Sequence, residues 1–191
     1  ATMLGAARVT RAGAAVLPEA ALQASPATQP PLAPATGRPY NPVVTLNGWT
    51  LPWRMRQGWK EFHLVAEPVE REFAPGMKAH LWGYNGQSPG PTIECVEGDK
   101  VRIFVTNKLP EHTTVHWHGI ILPANMDGVP GLSFHGIAPD GMYEYKFKVH
   151  QNGTYWYHSH SGFQEQVGVY GALVIDAKDP EPFTYDRDYV V

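Results

Sequence analysis

Short runs of alternating apolar residues, separated by turn signals, constrain the fold of this chain more than any other feature. In one run Val101, Ile103 and Val105 occupy every second position, which places them on one face of a strand. Asn85-Gly86 and Asn152-Gly153 are strong hairpin-turn signals between such runs. The pattern predicts strands at residues 59–66, 77–84, 92–96, 100–107, 113–118, 142–149, 154–158 and 167–176. Without a convincing helical period, these strands predict an all-β protein, an antiparallel β-sandwich with Greek-key connections.

The composition changes along the chain and divides it into three parts. Residues 1–40 are rich in Ala and Pro, a composition that cannot bury enough apolar area to order itself, so we expect a disordered tail that ends in a linker. Residues 41–56 contain Trp49 and Trp53, and this lead-in is therefore predicted to pack on the domain surface. Residues 57–191 are long enough for one domain of ordinary size.

The first residues resemble the end of an export signal. Residues 1–9 are small and apolar, and residues 10–15 include the small side chains that a signal peptidase prefers. A disordered Ala-rich terminus explains the same residues equally well. Export would place the protein in the periplasm. No segment approaches the roughly 20 apolar residues that a membrane span needs.

Charge and cysteine content narrow the range of partners. The formal net charge is -3 and no run of Lys or Arg occurs, so nucleic acid is not expected as a partner. Cys95 is the only cysteine, which rules out an internal disulfide. Because no histidine stands beside it, we interpret Cys95 as a small buried strand residue.

Two segments each carry a pair of histidines separated by one residue. Residues 114–119 read Thr-Val-His-Trp-His-Gly, and residues 157–161 read Tyr-His-Ser-His-Ser. Alternate side chains of a strand share a face, and a rise of about 3.3 Å per residue puts each pair roughly 6 to 7 Å apart at the backbone. If the segments lie side by side, the four rings converge on one small volume that suits metals such as copper. The residues are His116, His118, His158 and His160.

Chance must be weighed, because the chain contains nine histidines. Composition alone predicts less than one such pair, and both pairs lie at the ends of β-branched and aromatic runs, as ligands held on rigid strands should. The alternative is that these histidines fill polar surface positions. The remaining histidines lack paired spacing and are expected to be solvated or hydrogen-bonded. They are His63, His80, His112, His135 and His150.

On these motifs the chain resembles the first cupredoxin domain of the multicopper oxidases. The resemblance covers residues 59–176 and includes HWHG at 116–119, NMDGVPG at 125–131, GTYWYHSH at 153–160 and GVYGALVI at 168–175. The later part is most similar to the bacterial copper-resistance protein A type of this family. The earlier segments NGWTLPWRM and HLWGYNGQSPGPTIECVEGD resemble other bacterial laccase-like members at least as well. The resemblance implies a cupredoxin-like sandwich.

Carried over position by position, the resemblance implies a role for each matched residue. His116 would be a ligand of the type 2 copper, and His118, His158 and His160 would be ligands of the type 3 copper pair in a trinuclear cluster. Asp127 matches a carboxylate near the cluster that is thought to tune bound water and help deliver protons. Its alternative role is that of an Asp-Gly turn residue. Because only a neutral ring binds metal, copper occupancy should fall below about pH 6.5.

Three further residues of the two motifs have expected structural roles. Trp117 and Ser159 lie between the ligands and should point to the opposite face, where they pack or form hydrogen bonds. Gly119 would let the chain turn away close to the metals.

Several parts of a complete enzyme of this family are absent from the sequence. The trinuclear cluster takes twice as many histidines as match here. Nothing resembles the later His-Cys-His motif or the ligands of the type 1 copper, a pair of histidines with a cysteine thiolate, so the type 1 copper is expected in another domain. A cupredoxin of the nitrite-reductase type would need a cysteine ligand, and Cys95 stands in the wrong context. The strand-like end at residues 189–191 leads us to expect a fragment, the amino-terminal part of a longer oxidase.

The resemblance implies that this domain supplies half the ligands of an oxygen-reducing copper site in a laccase-like oxidase of copper resistance. Cuprous ion or a phenol would give up electrons at the type 1 copper, and dioxygen would be reduced to water by four electrons at the trinuclear cluster. The remaining cupredoxin domains of the same enzyme are the implied partners, and this chain alone would be inactive. The competing interpretation is a non-enzymatic periplasmic copper-binding or copper-buffering module.

Overall fold

The computed structural model describes residues 42–46, 48–179 and 181–191. The predictions for residues 1–40, a disordered tail and an export signal, lie outside the described residues. Within the described part, no helix has the length and apolar character of a membrane span. The strands are β1 (Val44–Thr45), β2 (Arg54–Arg56), β3 (Trp59–Ala74), β4 (Met77–Tyr84), β5 (Gly90–Val96), β6 (Lys100–Asn107), β7 (His116–His118), β8 (Met142–Lys148), β9 (Gly153–His158), β10 (Tyr170–Asp176) and β11 (Tyr189–Val190). A 3₁₀ turn spans Ala124–Met126.

Two sheets enclose one core. The larger sheet has the order β2-β3-β6-β8, with β4 paired to the far half of β3, and the smaller sheet has the order β5-β10-β9-β7. Apolar side chains from both sheets form a single buried cluster, and β1 pairs with β11 beside them. This is the all-β cupredoxin-like sandwich that the sequence predicts.

The prediction of a purely antiparallel sandwich was wrong, because both sheets are mixed. β6 runs parallel to β3, and β10 runs parallel to β5. The chain passes from β4 to β5 in the smaller sheet and then returns to the larger one, so β6 lies beside β3 in the same direction. Alternation within a strand reports which side chains face the core and carries no information on the direction of the neighbouring strand.

Three predicted strands have limits in the structure that differ from the prediction by three residues or more. β3 continues to Ala74, because its charged second half is held in an antiparallel hairpin with β4. β7 begins only at residue 116, since Thr113 pairs with Ile137 of the long connection through two backbone hydrogen bonds of 3.0 and 2.8 Å. β10 begins at Tyr170, because residues 162–168 form turns that end at Gly168, whose φ is +117°.

The core also draws on the lead-in segment. Leu51 and Trp53 are buried in the same cluster as the strand residues, with 2% and 8% of their surface exposed. The inward-facing residues of β6 are buried as the alternation predicts, and so are Tyr145 and Phe147 of β8, while Tyr143 is half-buried. Cys95 is buried and forms no disulfide, which confirms its interpretation as a small core residue.

Three ionisable residues in the interior form what we call the buried charge cluster, Lys60, Glu94 and Asp99. Lys60 Nζ lies 2.6 Å from Asp99 Oδ2, and neither side chain is exposed. Glu94 Oε1 accepts a hydrogen bond of 2.9 Å from the backbone N–H of Val43, which ties the lead-in to β5. Burial raises the pKa of Glu94 to about 8, so its carboxyl group is mainly protonated at neutral pH.

Candidate metal centre

The two histidine motifs lie on neighbouring strands at one end of the smaller sheet. β7 and β9 pair antiparallel, with His116 opposite His158 and His118 opposite Trp156. The residues between these positions, Trp117 and Tyr157, face the core and are fully buried. The alternation of the two strands therefore puts the imidazoles of both motifs on the outer face of the sheet.

The rings of three histidines meet closely enough to share a metal site. Their centroids are 5.6 Å apart for His116 and His118, 5.3 Å for His116 and His158, and 5.4 Å for His118 and His158. Nitrogen atoms from all three rings lie within 4.8 Å of one another. His118 Nδ1 and His158 Nε2 face each other at 3.2 Å.

His160 lies beyond the end of β9 and flanks this group. Its ring centroid is 5.5 Å from that of His116 and 6.2 Å from that of His158. Its backbone N–H donates to Thr114 Oγ1 at 2.8 Å, which fixes the chain after the strand has ended. His160 and His118 are both exposed, so the group opens outward from the sheet.

Ser159 and Trp117 point to the opposite face, as the sequence predicts. Ser159 is buried, and its Oγ donates to Gln164 Oε1 at 2.8 Å. Trp117 packs edge-on against Tyr145 in the core. Gly119 has a φ of +81°, a left-handed conformation that suits glycine at the sharp end of β7.

The loop that carries Asp127 wraps around His116. His116 Nδ1 donates to the backbone oxygen of Asp127 at 2.8 Å and lies 3.3 Å from Asp127 Oδ1. The next residue, Gly128, has a φ of +73°, and a Cβ there would lie 1.8 Å from the backbone oxygen of Val115. Only glycine permits this close approach, which brings Asp127 to the ring.

His158 has two acceptors at Nδ1. The backbone oxygen of Ser159 lies 2.9 Å from Nδ1, and Glu165 Oε2 lies 3.0 Å from it. Burial lowers the pKa of His158, which favours the neutral ring that a metal requires. Trp156 stacks on the ring at a centroid distance of 4.1 Å and an angle of 22°.

The sequence reasoning missed Glu165 and its neighbour Gln164. Gln164 is buried and uses both ends of its amide, as acceptor from Thr113 and Ser159 and as donor to Glu111 and the backbone oxygen of His112. The only sequence signal was the position of both residues shortly after His160, which says nothing about their contacts.

The histidines without paired spacing do not belong to this group. His63 Nε2 is within 2.8 Å of Thr106 Oγ1, which confirms the prediction of a hydrogen-bonded residue. The other four are exposed, as a solvated residue should be: His80, His112, His135 and His150.

The donor set fits copper. Because His116 and His158 both donate from Nδ1 to backbone oxygens, their Nε2 atoms carry the lone pairs. Neutral imidazole nitrogens are ligands that suit copper, and hydrogen bonds on the far nitrogen hold such rings in the required tautomer. Within the described residues, His116, His118 and His158 are the one group of His, Cys, Asp and Glu side chains that is arranged to hold a metal ion.

Comparison with known proteins gives the family. The multicopper oxidase family model matches residues 66–180, more than half of the chain. The chain belongs to the multicopper oxidase family. A copper resistance protein A homolog of Pseudomonas syringae pv. tomato is 74% identical over 107 residues, which are 56% of this chain and 18% of that protein. Copper resistance protein A of Escherichia coli is 68% identical over the same shares.

Solved structures that are similar to this chain are also multicopper oxidases. The multicopper oxidase of Pseudomonas thermotolerans superposes with a TM-score of 0.64 at 41% identity and covers 66% of this chain and 32% of its own. A metallo-oxidase of Campylobacter jejuni gives a TM-score of 0.63 at 35% identity, with 73% and 31% covered. The matched domain is the amino-terminal cupredoxin domain of a multicopper oxidase, related to copper resistance protein A, as the sequence motifs predict. It spans about a fifth of the length of those curated relatives.

Proposed function

We propose that this domain supplies half of the ligands of a trinuclear copper site that reduces dioxygen to water. His116 would be a ligand of the type 2 copper, and His118, His158 and His160 would be ligands of the type 3 pair. The observation that carries the proposal is the convergence of nitrogen atoms from three of these rings within 4.8 Å. The fourth ring, that of His160, lies 5.5 Å from His116.

The remaining parts of the site would come from other cupredoxin domains of the same enzyme. The exposed edges of His118 and His160 support this, because rings that open outward leave room for ligands from a second domain. Residues 57–191 would form the first domain, residues 41–56 its lead-in, and residues 1–40 an export-signal remnant and linker. The type 1 copper, where cuprous ion or a phenol gives up electrons, would belong to another domain.

The residues of this chain would hold and orient the metal, and bound copper would supply the electron transfer to dioxygen. His116 and His158 are kept in one tautomer by their Nδ1 hydrogen bonds. Asp127, about one third exposed and 3.3 Å from His116 Nδ1, would be the carboxylate near the cluster that tunes bound water and helps to deliver protons. We propose this as its contribution to the reaction, which consumes protons.

The proposal places the complete protein in the periplasm, with a role in copper resistance. The names of the relatives from Pseudomonas syringae and Escherichia coli support the role in copper resistance. Dioxygen and a reducing substrate, cuprous ion or a phenol, would be its small-molecule partners.

Copper stoichiometry and spectra of the complete protein test the proposal. We expect an intense blue absorption from the type 1 copper together with a magnetically coupled copper pair. Full copper loading without either signal would contradict an oxidase, and it would favour a copper-buffering module instead.

A further inference from the structure

The turns that follow His160 bring a second carboxylate to the histidine group. Glu165 Oε2 lies 3.0 Å from His158 Nδ1, on the side of the ring opposite the nitrogen that faces His118. We propose that Glu165 is a positioning residue, which holds the His158 ring in the orientation and tautomer that a copper ligand needs. This inference rests on the proposed role of His158 as a ligand.

The contact has the geometry of a carboxylate behind a metal-binding imidazole. The proton on Nδ1 points to two acceptors, Glu165 Oε2 and the backbone oxygen of Ser159, so the lone pair is on Nε2. A charged acceptor makes a stronger hydrogen bond than a neutral one and increases the basicity of the far nitrogen. Such partners orient the ring and tune its affinity for the metal.

The backbone that carries Glu165 is held in place before any metal binds. Gln164, next to it, is 2% exposed. Its Oε1 accepts hydrogen bonds from Thr113 Oγ1 at 2.7 Å and from Ser159 Oγ at 2.8 Å. The backbone N–H of Val169 donates to the oxygen of Gln164 at 3.0 Å, and that of Gly168 donates to the oxygen of Glu165 at 3.1 Å. The carboxylate therefore approaches His158 from an anchored turn.

Among the other ligands of the group, His116 alone has a carboxylate beside a ring nitrogen in the described residues, and that contact is longer than the one between Glu165 and His158. His116 Nδ1 has the backbone oxygen of Asp127 as its nearer partner, with the carboxylate at 3.3 Å. Within the described residues, neither His118 nor His160 has a carboxylate oxygen within 4.0 Å of a ring nitrogen. Removal of the Glu165 carboxylate should therefore act on the metal through His158.

The test uses the complete protein, freed of copper and titrated with cuprous ion against a chromophoric chelator. Glu165→Ala should weaken copper binding by about 10- to 100-fold, as loss of an outer-shell partner does, and Glu165→Gln should lose less, because an acceptor oxygen remains. Gln166→Ala is the matched control, since this exposed residue lies in the same turns. The control should bind copper as the wild type does.

Nitrogen chemical shifts of the His158 ring in the copper-free protein give a readout that general destabilisation does not move. The wild type should show Nδ1 protonated, and Glu165→Ala should increase the population of the other tautomer. In a His158→Ala background, Glu165→Ala should have no further effect on copper affinity. Unchanged copper affinity in Glu165→Ala, with a loss in His158→Ala, would overturn the inference and leave the proposed function intact. Unchanged affinity in His158→Ala would instead count against the proposed function.

Discussion

Two polar groups in this sandwich show how the same kinds of side chain can serve binding or structure. The histidine group on β7 and β9 faces outward. Hydrogen bonds to the backbone hold Nδ1 of His116 and His158, and Nε2 of His158 faces another ring of the group, that of His118. The buried charge cluster is enclosed, and its Lys60 and Asp99 side chains are bonded to each other and unexposed. A group of polar side chains can bind a ligand where hydrogen bonds to the protein orient the side chains and part of the group remains exposed.

Replacement of a ligand gives the largest expected effect on this comparison. His118→Ala or His158→Ala in the complete enzyme should abolish oxygen reduction, while electron uptake at the blue copper continues. The loss should exceed the roughly 100-fold that removal of an outer-shell partner costs. Steady-state oxygen consumption and bleaching of the blue absorption by substrate measure the two steps. Normal turnover in either variant would refute the ligand assignment.

Removal of a charge from the buried charge cluster should affect stability instead of copper binding. Lys60→Met keeps most of the side-chain volume and leaves the Asp99 carboxylate buried without its partner, at a cost of about 3–5 kcal/mol in the free energy of unfolding. Lys78→Met is the control, because its pair with Glu70 is more than half exposed on both sides and is worth about 1 kcal/mol or less. Denaturant titration measures both. Equal free energies of unfolding for the two variants would contradict a structural role for the buried pair.

The pH dependence of stability should report Glu94. Its pKa is raised by burial from 4.5 to about 8, so the folded protein keeps a proton that the unfolded chain releases between those values. The stabilisation is complete below about pH 4.5 and is lost as the pH rises toward 8, and Asp176, with a pKa raised by burial to about 6, acts in the same direction.

Glu94→Gln isolates this contribution. Glutamine cannot titrate, and it keeps an oxygen for the backbone N–H of Val43. Between pH 5 and 8, the free energy of unfolding of the wild type should fall relative to that of Glu94→Gln. Glu70→Gln, a change at an exposed carboxylate, should run parallel to the wild type. Parallel curves for Glu94→Gln and the wild type would contradict the assignment of a raised pKa to Glu94.

The sequence predicted the features that depend on local patterns. Alternation of apolar residues predicted the limits of β6, and the same period of two put His116 and His118 on one face of a strand. The motifs HWHG and HSH predicted the family. The parallel pairing of β3 with β6 and the contact between Glu165 and His158 could not be predicted, because they depend on how the chain crosses between sheets and turns after β9. Lys60 and Asp99 gave no signal either, since charged residues usually remain on the surface.

The smallest expected effect concerns a histidine outside the group. His63 is partly buried on the larger sheet, with Nε2 2.8 Å from Thr106 Oγ1, and burial lowers its pKa, so it too is mainly neutral at pH 7. A neutral imidazole alone therefore does not make a ligand, and the convergence of several rings distinguishes the site.

His63→Ala should lower the free energy of unfolding by about 0.5–1.5 kcal/mol, the net worth of one hydrogen bond, and Thr106→Val should lower it by a similar amount. Both variants should retain the copper stoichiometry and oxygen consumption of the wild type in the complete enzyme. Loss of a copper from His63→Ala would show that ligation in this fold does not require the paired spacing from which the site was inferred.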